Sequence, residues 1–371
     1  MIYEAPTRME ISLDNAAHNW HEIEKLVGDR TIYPVIKKDA YGHGAVRLSR
    51  LYQSMGCKNF AVARLEEAIA LREAGMEESI LVLGQVSPDS VDVALHYDVT
   101  CTCAEMAYAE ALSRVAAARG TRGKIHVKID TGMGRLGFKP QEFESYADKL
   151  FSLPGIDVEG IYTHFALADE EESDYTDVQF GRFQRTLAFL ERRGLTVRVR
   201  HVCNSAGILR HPDKYLDAVR PGILLYGVSP LPVLPEGVEL KPIFSFKTVV
   251  ESIHDTEAGS GISYGLRYIA KRKERTAVIP VGYGDGWTRT LSLKTEVLIR
   301  GKRCPVLGTI CMDHMMVDVT DLDHTELGDE VVLVGTQGEE SITIEEIASL
   351  RGTIPYEIPL ALTESVRRVY V

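Results

Sequence analysis

Residues 99–130 read VTCTCAEMAYAEALSRVAAARGTRGKIHVKID, and this stretch decides the fold. Its ends, Val99–Cys103 and Lys124–Asp130, are short and rich in β-branched residues, as buried strands are. Between them, Ala104–Arg119 repeats Ala and Leu at three- and four-residue spacing, and Gly120 follows as a helix stop. Strand, helix and strand in that order make a parallel βαβ unit. The same texture extends outward in both directions. Further apolar runs lie at Ile32–Ile36, Phe60–Ala63, Ile80–Leu83, Val158–Phe165, Val197–Cys203 and Leu216–Val219. Helical stretches at Leu65–Ala74 and Tyr175–Arg193 end near Gly75 and Gly194. Eight runs spaced about 26 residues apart predict an N-terminal (β/α)8 TIM-like barrel rather than an open sheet.

The texture changes at Ser229–Pro242 (SPLPVLPEGVELKP), where Pro and Gly break any regular element. The segments Phe244–Ile253, Thr276–Val281, Glu296–Ile299 and Val331–Val334 read as strands, and one helix is expected around Ile344–Leu350. The chain is thus α/β: a barrel over 12–232, then a mostly β C-terminal domain over 233–371. Arg8–Leu13 alternates and is expected, with residues 1–11 as a whole, to pack with the β domain.

With 371 residues the chain suits about two domains. Apolar residues are 45 % and charged residues 26 %, which excludes disorder as the main character. A net charge of −11 makes nucleic acid an unsuitable partner. The N-terminal residues MIYEAPTRMEISLDN lack the apolar core of a secretory signal, and no apolar run approaches the ~18 residues of a membrane span. Six scattered cysteines without a CxxC pair are expected to be reduced thiols of a cytoplasmic protein. No metal site is expected.

Active sites of (β/α)8 barrels lie at the C-terminal ends of the strands. The polar residues falling there are Lys37, Lys128, Asp130, Arg135, His164, Asn204, Ser205 and Arg220. Ser205 and the turn Arg220–Pro221–Gly222 occupy the loops after strands seven and eight, where this fold commonly binds phosphate. A strand-one lysine together with a phosphate cradle points to pyridoxal 5'-phosphate, held on the lysine as a Schiff base. The bland alternatives are a solvated Lys37, a rim salt bridge at Arg220 and a buried Lys128–Asp130 ion pair.

At this point the chain resembles the bacterial alanine racemases, pyridoxal-phosphate enzymes of fold type III. The resemblance runs through Lys37–Gly44 (KKDAYGHG), Lys128–Gly137 (KIDTGMGRLG), Thr163–Ala166 (THFA), Asn204–Ala206 (NSA) and Arg220–Gly227 (RPGILLYG). It continues through Ser263–Gly265 (SYG), Val281–Gly286 (VGYGDG), Cys311–Asp313 (CMD) and Ile354–Ile358 (IPYEI). Any one of these motifs is weak; nine in order along the chain are specific.

The resemblance implies roles residue by residue. Lys37 would hold the cofactor covalently. Tyr41, Ser205, Gly222, Ile223 and Tyr356 would hold its phosphate. Arg220 would hydrogen-bond the pyridine nitrogen and His164 would lie against the ring. Arg135 would place the substrate carboxylate, and Lys128 stands where the family is often carbamylated. Tyr264 and Met312 would enter from the other subunit of a homodimer. The implied reaction interconverts L-alanine and D-alanine with one base per face, Lys37 and Tyr264 of the partner subunit, making D-alanine for the cell wall. Lysine and tyrosine suit it because both are strong bases once deprotonated. Arginine at the ring nitrogen cannot accept a proton, which favours racemisation over decarboxylation. A serine or broad-specificity racemase is the nearest alternative, and a non-catalytic cofactor-binding protein a more distant one. Departures from the family pattern are Lys38 beside Lys37, Trp287 where tyrosine is usual, and a C-terminus (ESVRRVYV) without proline. Lys38 is expected to lower the basicity of Lys37.

Overall fold

The computed structural model describes residues 5–371. The chain forms two compact units. One holds Ala16–Ala40 and Gly44–Lys241; the other holds the N-terminal segment up to Asn15, Tyr41–His43 and Pro242–Val371.

The first unit is the barrel. Its strands are β1 (Thr31–Ile32), β2 (Asn59–Val62), β3 (Ser79–Gln85), β4 (Thr100–Cys103), β5 (Gly123–Lys128), β6 (Ile156–Tyr162), β7 (Val199–His201) and β8 (Ala218–Val219). Each matches one of the eight apolar runs. Neighbours pair in parallel from β2 round to β8, and β8 pairs with β1. The strands read as unbroken apolar runs because both faces are covered; every residue of β4 is buried. The first strand is shorter than expected. Pro34 has no N–H to give a ladder, so the regular pairing stops at Ile32. Closure is made beyond it by single bonds, Ile36 N–H to the Ala61 carbonyl at 2.9 Å and Ala61 N–H to the Pro34 carbonyl at 3.0 Å.

Helices follow the strands in the expected rhythm, with Leu65–Glu73, Met106–Ala118 and Tyr175–Arg192 close to the expected spans. Met106–Ala118 buries Tyr108, Ala109, Leu112 and Ala116, residues at three- and four-residue spacing. The barrel unit continues to Lys241, past the Pro-rich break. Asn19 exchanges hydrogen bonds with the Lys241 backbone, its amide giving to the carbonyl and its oxygen accepting the N–H, both at 2.8 Å.

The second unit is a ten-stranded sheet. Arg8–Ile11 lies in it, antiparallel to Phe244–Val249 and parallel to Arg367–Tyr370, which fulfils the expectation for this N-terminal segment. Residues 1–4 of that expectation lie outside the described residues. Glu296–Ile299 is a strand, and Val331–Val334 sits inside Glu330–Gln337. The single strand expected over Phe244–Ile253 is two, broken between Val249 and Ser252. A second helix, Glu357–Ala361, joins Ile344–Arg351; its five residues and Pro359 hid it from periodicity. Trp287 is a core residue of this sheet, 2 % exposed and packed on Phe246. The C-terminal strand draws Tyr41–His43 into the unit: Arg368 donates to the Gly42 carbonyl at 3.3 Å and the Tyr370 hydroxyl to the His43 carbonyl at 3.2 Å.

Candidate active site

Lys37 follows the closing bonds of the barrel, and the chain then does something the sequence does not signal. Lys38, Asp39, Ala40 and Tyr41 have φ of 53°, 52°, 53° and 55°, a complete turn of left-handed helix without glycine. Such backbone costs about 1–2 kcal/mol per residue, so the surroundings must hold it. Glu67, at the start of Leu65–Glu73, does much of this. One carboxylate oxygen accepts the Lys38 N–H at 2.7 Å; the other accepts Ala63 N–H at 2.7 Å and Arg64 N–H at 3.0 Å. Asp39 accepts the Ala45 N–H at 2.7 Å and so begins the next helix.

Four cations gather in the barrel. Burial pushes the Lys37 amine below its ordinary value, and the Arg135 guanidinium adds to that; Glu67 opposes it and Lys38 contributes least. Lys38 therefore acts in the expected direction but is a minor influence. Lys128, at the end of β5, is 5 % exposed and lies 5.2 Å from the Tyr162 ring centre. Burial, then Arg135 and Arg220, bring its amine down to about 7. The Lys128–Asp130 ion pair is absent. Asp130 instead binds Lys139 at 2.5 Å and accepts Gly132 and Gly134 N–H groups at 3.0 Å, which fix the turn leading to Arg135.

Arg220 follows β8 and is 3 % exposed, so it is no rim residue. Burial lowers it to about 10, which leaves it fully charged at neutral pH. Its Nη2 donates to the Thr163 carbonyl at 2.8 Å, the Val202 carbonyl at 3.0 Å and His164 Nδ1 at 3.4 Å. His164 is half-buried, and burial together with Arg220 holds it well below its ordinary value. It is a neutral ring whose Nδ1 accepts from arginine, so its proton sits on Nε2.

After β7, Asn204 caps the helix Ser205–Arg210 by accepting the Gly207 N–H at 2.9 Å. Ser205 accepts the Gly222 N–H at 2.9 Å, which joins the loops after β7 and β8. Ile223 opens a 3-10 turn whose first N–H groups have no partner inside the turn. The sequence singled out these residues, and the barrel unit brings Lys37, Lys128, Arg135, His164, Ser205, Arg220, Gly222 and Ile223 together.

The other four expected residues belong to the β unit. Tyr41 and Tyr356 are one ring pair there, centroids 6.0 Å apart. Tyr41 is buried, and burial pushes its phenol up. Tyr264 and Met312 are exposed, at 71 % and 53 %. Tyr264 sits on a turn with Ser263 and Leu266 at φ of 66° and 45°. The Thr309 hydroxyl pins it by donating to the Tyr264 carbonyl at 2.9 Å. The Met312 loop lies directly on Gly282: a Cβ there would come within 2.2 Å of the Met312 carbonyl oxygen. That close approach explains the glycine in VGYGDG.

Sequence reasoning missed Glu67, and it missed two buried histidines, His126 and His201. The latter share hydrogen bonds with each other and with Arg220. Their signal was present. For His126, at least, it is alternation with Lys128 along β5, which puts the two on one face.

The comparisons with known proteins agree along the chain. The family profile described as "Alanine racemase, N-terminal domain" matches residues 11–230, and "Alanine racemase, C-terminal domain" matches 243–370. The chain is 44 % identical to an alanine racemase from Desulforamulus reducens, with 99 % of both chains covered. It is 42 % identical to one from Carboxydothermus hydrogenoformans over 99 % of this chain and all of that one. Among solved structures it is similar to an alanine racemase of Clostridium difficile, with a TM-score of 0.95 and 39 % identity over 100 % of this chain and 97 % of that one. An alanine racemase of Bacillus anthracis with bound L-Ala-P has a TM-score of 0.92 and 36 % identity, covering 100 % of this chain and 96 % of that one.

Proposed function

This chain belongs to the alanine racemase family, and on that premise we propose that it interconverts L-alanine and D-alanine with pyridoxal 5'-phosphate and two bases, Lys37 and Tyr264 of the partner subunit. The observation that carries the reading is the cluster of Lys37, Lys128, Arg135 and Arg220 in a chain of net charge −11. Asp130, the carboxylate beside them, is engaged by Lys139. Such a cluster suits an anionic cofactor and an anionic substrate, and the residues present fit that group.

The cofactor, when bound, supplies an electron sink for a carbanion at the substrate's Cα. The chain supplies the rest. Lys37 would be the covalent anchor, and its lowered basicity favours the unprotonated amine that a base requires. Arg220 is an obligatory donor, so it holds the ring nitrogen without protonating it. Ser205 and Ile223 would offer a hydroxyl and a backbone N–H to the phosphate, Gly222 would join them by turning its N–H from Ser205 Oγ, and Tyr41 and Tyr356 would contribute phenols. His164 would lie against the ring. Arg135 receives the substrate carboxylate. Lys128, with an amine near neutrality, is suited to take up CO2: the amine nitrogen bonds carbon, a proton leaves, and the resulting carbamate is an anion able to orient Arg135.

Tyr264 and Met312 are proposed to act across a dimer. The β unit leaves Tyr264, Leu266, Ile269 and Met312 exposed, an apolar set that a second copy would cover. The test is incubation with L-alanine and pyridoxal phosphate in D2O. Expected are D-alanine and deuterium at Cα with little pyruvate. A cofactor-loaded protein that exchanges no α-proton of alanine overturns the reading.

A further inference from the structure

Behind Arg220 lies a line of buried polar groups that the proposed chemistry does not use. Arg220 Nη1 donates to His201 Nδ1 at 2.6 Å. His201 Nε2 and His126 Nδ1 are 2.8 Å apart. His126 Nε2 is buried with no hydrogen-bond partner and faces Glu159 Oε2 at 3.5 Å. Both rings are fully buried.

The direction of this line is forced. Arginine only donates, and a neutral imidazole has one donor and one acceptor. His201 therefore accepts at Nδ1 and carries its proton on Nε2, which donates to His126 Nδ1. His126 then carries its proton on Nε2, which points to the Glu159 carboxylate, a group that only accepts. Every member of the line has a single allowed orientation.

The backbone is shaped for it. Ile125 of β5 pairs with Val158 of β6, but His126 pairs with Gly160, so Glu159 is the extra residue of a β-bulge. Bulges re-aim a side chain out of the strand's alternation. Gly160 makes room for the imidazole: a Cβ there would lie 2.7 Å from the ring's Cε1 and Nδ1. His201 is clamped between Tyr162, at 4.7 Å and 5°, and Tyr33, at 5.6 Å and 13°. Glu159 is steadied by Thr100 at 3.3 Å and Arg198 at 3.4 Å.

We propose that His201 and His126 form a one-way hydrogen-bonded line, ended by the Glu159 carboxylate that faces His126 Nε2, that fixes the Arg220 guanidinium in its plane, which makes all three positioning residues for the site. No proton leaves any member. The functional half of this rests on the racemase reading.

The first test requires no variant and no cofactor. In the full chain with 15N-labelled histidine, coupling across the hydrogen bond should link the Nε2–H of one neutral imidazole to Nδ1 of another at pH 7. A linked pair with its proton on Nδ1, a cationic ring in the pair, or no linked pair overturns the line. The second test is Glu159→Gln. Removing an outer partner of a site residue costs about 10–100-fold at metal centres, and the low end, about tenfold in kcat with KM unchanged, is expected here. Glu159→Asp should recover part of the loss. An unchanged kcat in E159Q overturns the positioning role. If the parent chain forms no D-alanine, the racemase reading fails, and the imidazole pattern alone upholds or overturns the line.

Discussion

The two proposed bases stand in opposite surroundings. Lys37 is enclosed in the barrel unit, its basicity lowered by burial and by Arg135. Tyr264, 71 % exposed on the β unit, has its backbone held by Thr309 while its ring stands open. One base is complete within its own unit; the other is a rigid presentation with nothing on top of it. The difference teaches what the proposed reading requires: the β unit leaves Tyr264 exposed for a second surface to cover, whereas the surroundings that lower the Lys37 amine lie within its own unit.

The largest expected effect breaks the barrel side. Lys37→Ala should lower D-alanine formation by at least about 10³-fold, since it removes a base and the covalent anchor together. The absorption band of covalently held cofactor should vanish with it. A band that persists would mean that Lys38 serves as anchor and that the left-handed turn presents a different side chain from the one assigned.

Next comes the exposed side. Tyr264→Phe removes only the phenolic oxygen, and losing one acid–base group costs about 10²–10⁴-fold. Mixing Lys37→Ala chains with Tyr264→Ala chains sharpens the comparison. Heterodimers should recover some racemisation, because one shared site then keeps both bases. No recovery after demonstrated subunit exchange would assign each Tyr264 to its own chain.

How legible this was in the sequence differs by region. The barrel strands were legible because fully buried strands are unbroken β-branched runs, and the cations because they end those runs. Glu159 was hidden because a bulge breaks the two-residue alternation that reads facing from sequence. The left-handed turn was hidden for a related reason: KKDAY contains no glycine, the usual mark of positive φ. Its support, Glu67, lies 29 residues away from Lys38, beyond any local pattern. The assignment of Tyr41–His43 to the β unit was likewise set by distant partners, Arg368 and Tyr370.

A third, smaller effect tests that support. Glu67→Ala releases three backbone N–H groups at once. Partial exposure of Glu67 limits the cost to about 2 kcal/mol, near that of one hydrogen bond to a charged group. Denaturant unfolding should show this as an earlier midpoint for the barrel, with Glu67→Gln between the two. A wild-type midpoint in Glu67→Ala would mean that the left-handed turn is held from elsewhere.

The smallest effect separates Lys128 from its neighbours by pH. Its amine titrates near 7 in the folded protein against 10.5 as a free side chain. Between those values the unfolded chain holds the proton and the folded chain has released it. Stability from this residue therefore rises with pH across the window, by at most about 1.4 kcal/mol per pH unit, and the penalty is fully present below pH 7. Lys37 shifts in the same direction, so the informative quantity is the stability of the parent minus that of Lys128→Met, followed from pH 7 to 9.5 in CO2-free buffer. That difference should slope upward. Adding bicarbonate should raise it and extend the slope below pH 7, because a carbamylated nitrogen carries no proton in the folded chain while the unfolded amine still holds one. A flat difference in CO2-free buffer would show that Lys128 stays charged in the folded barrel, and it would remove the basis for carbamylation at this position.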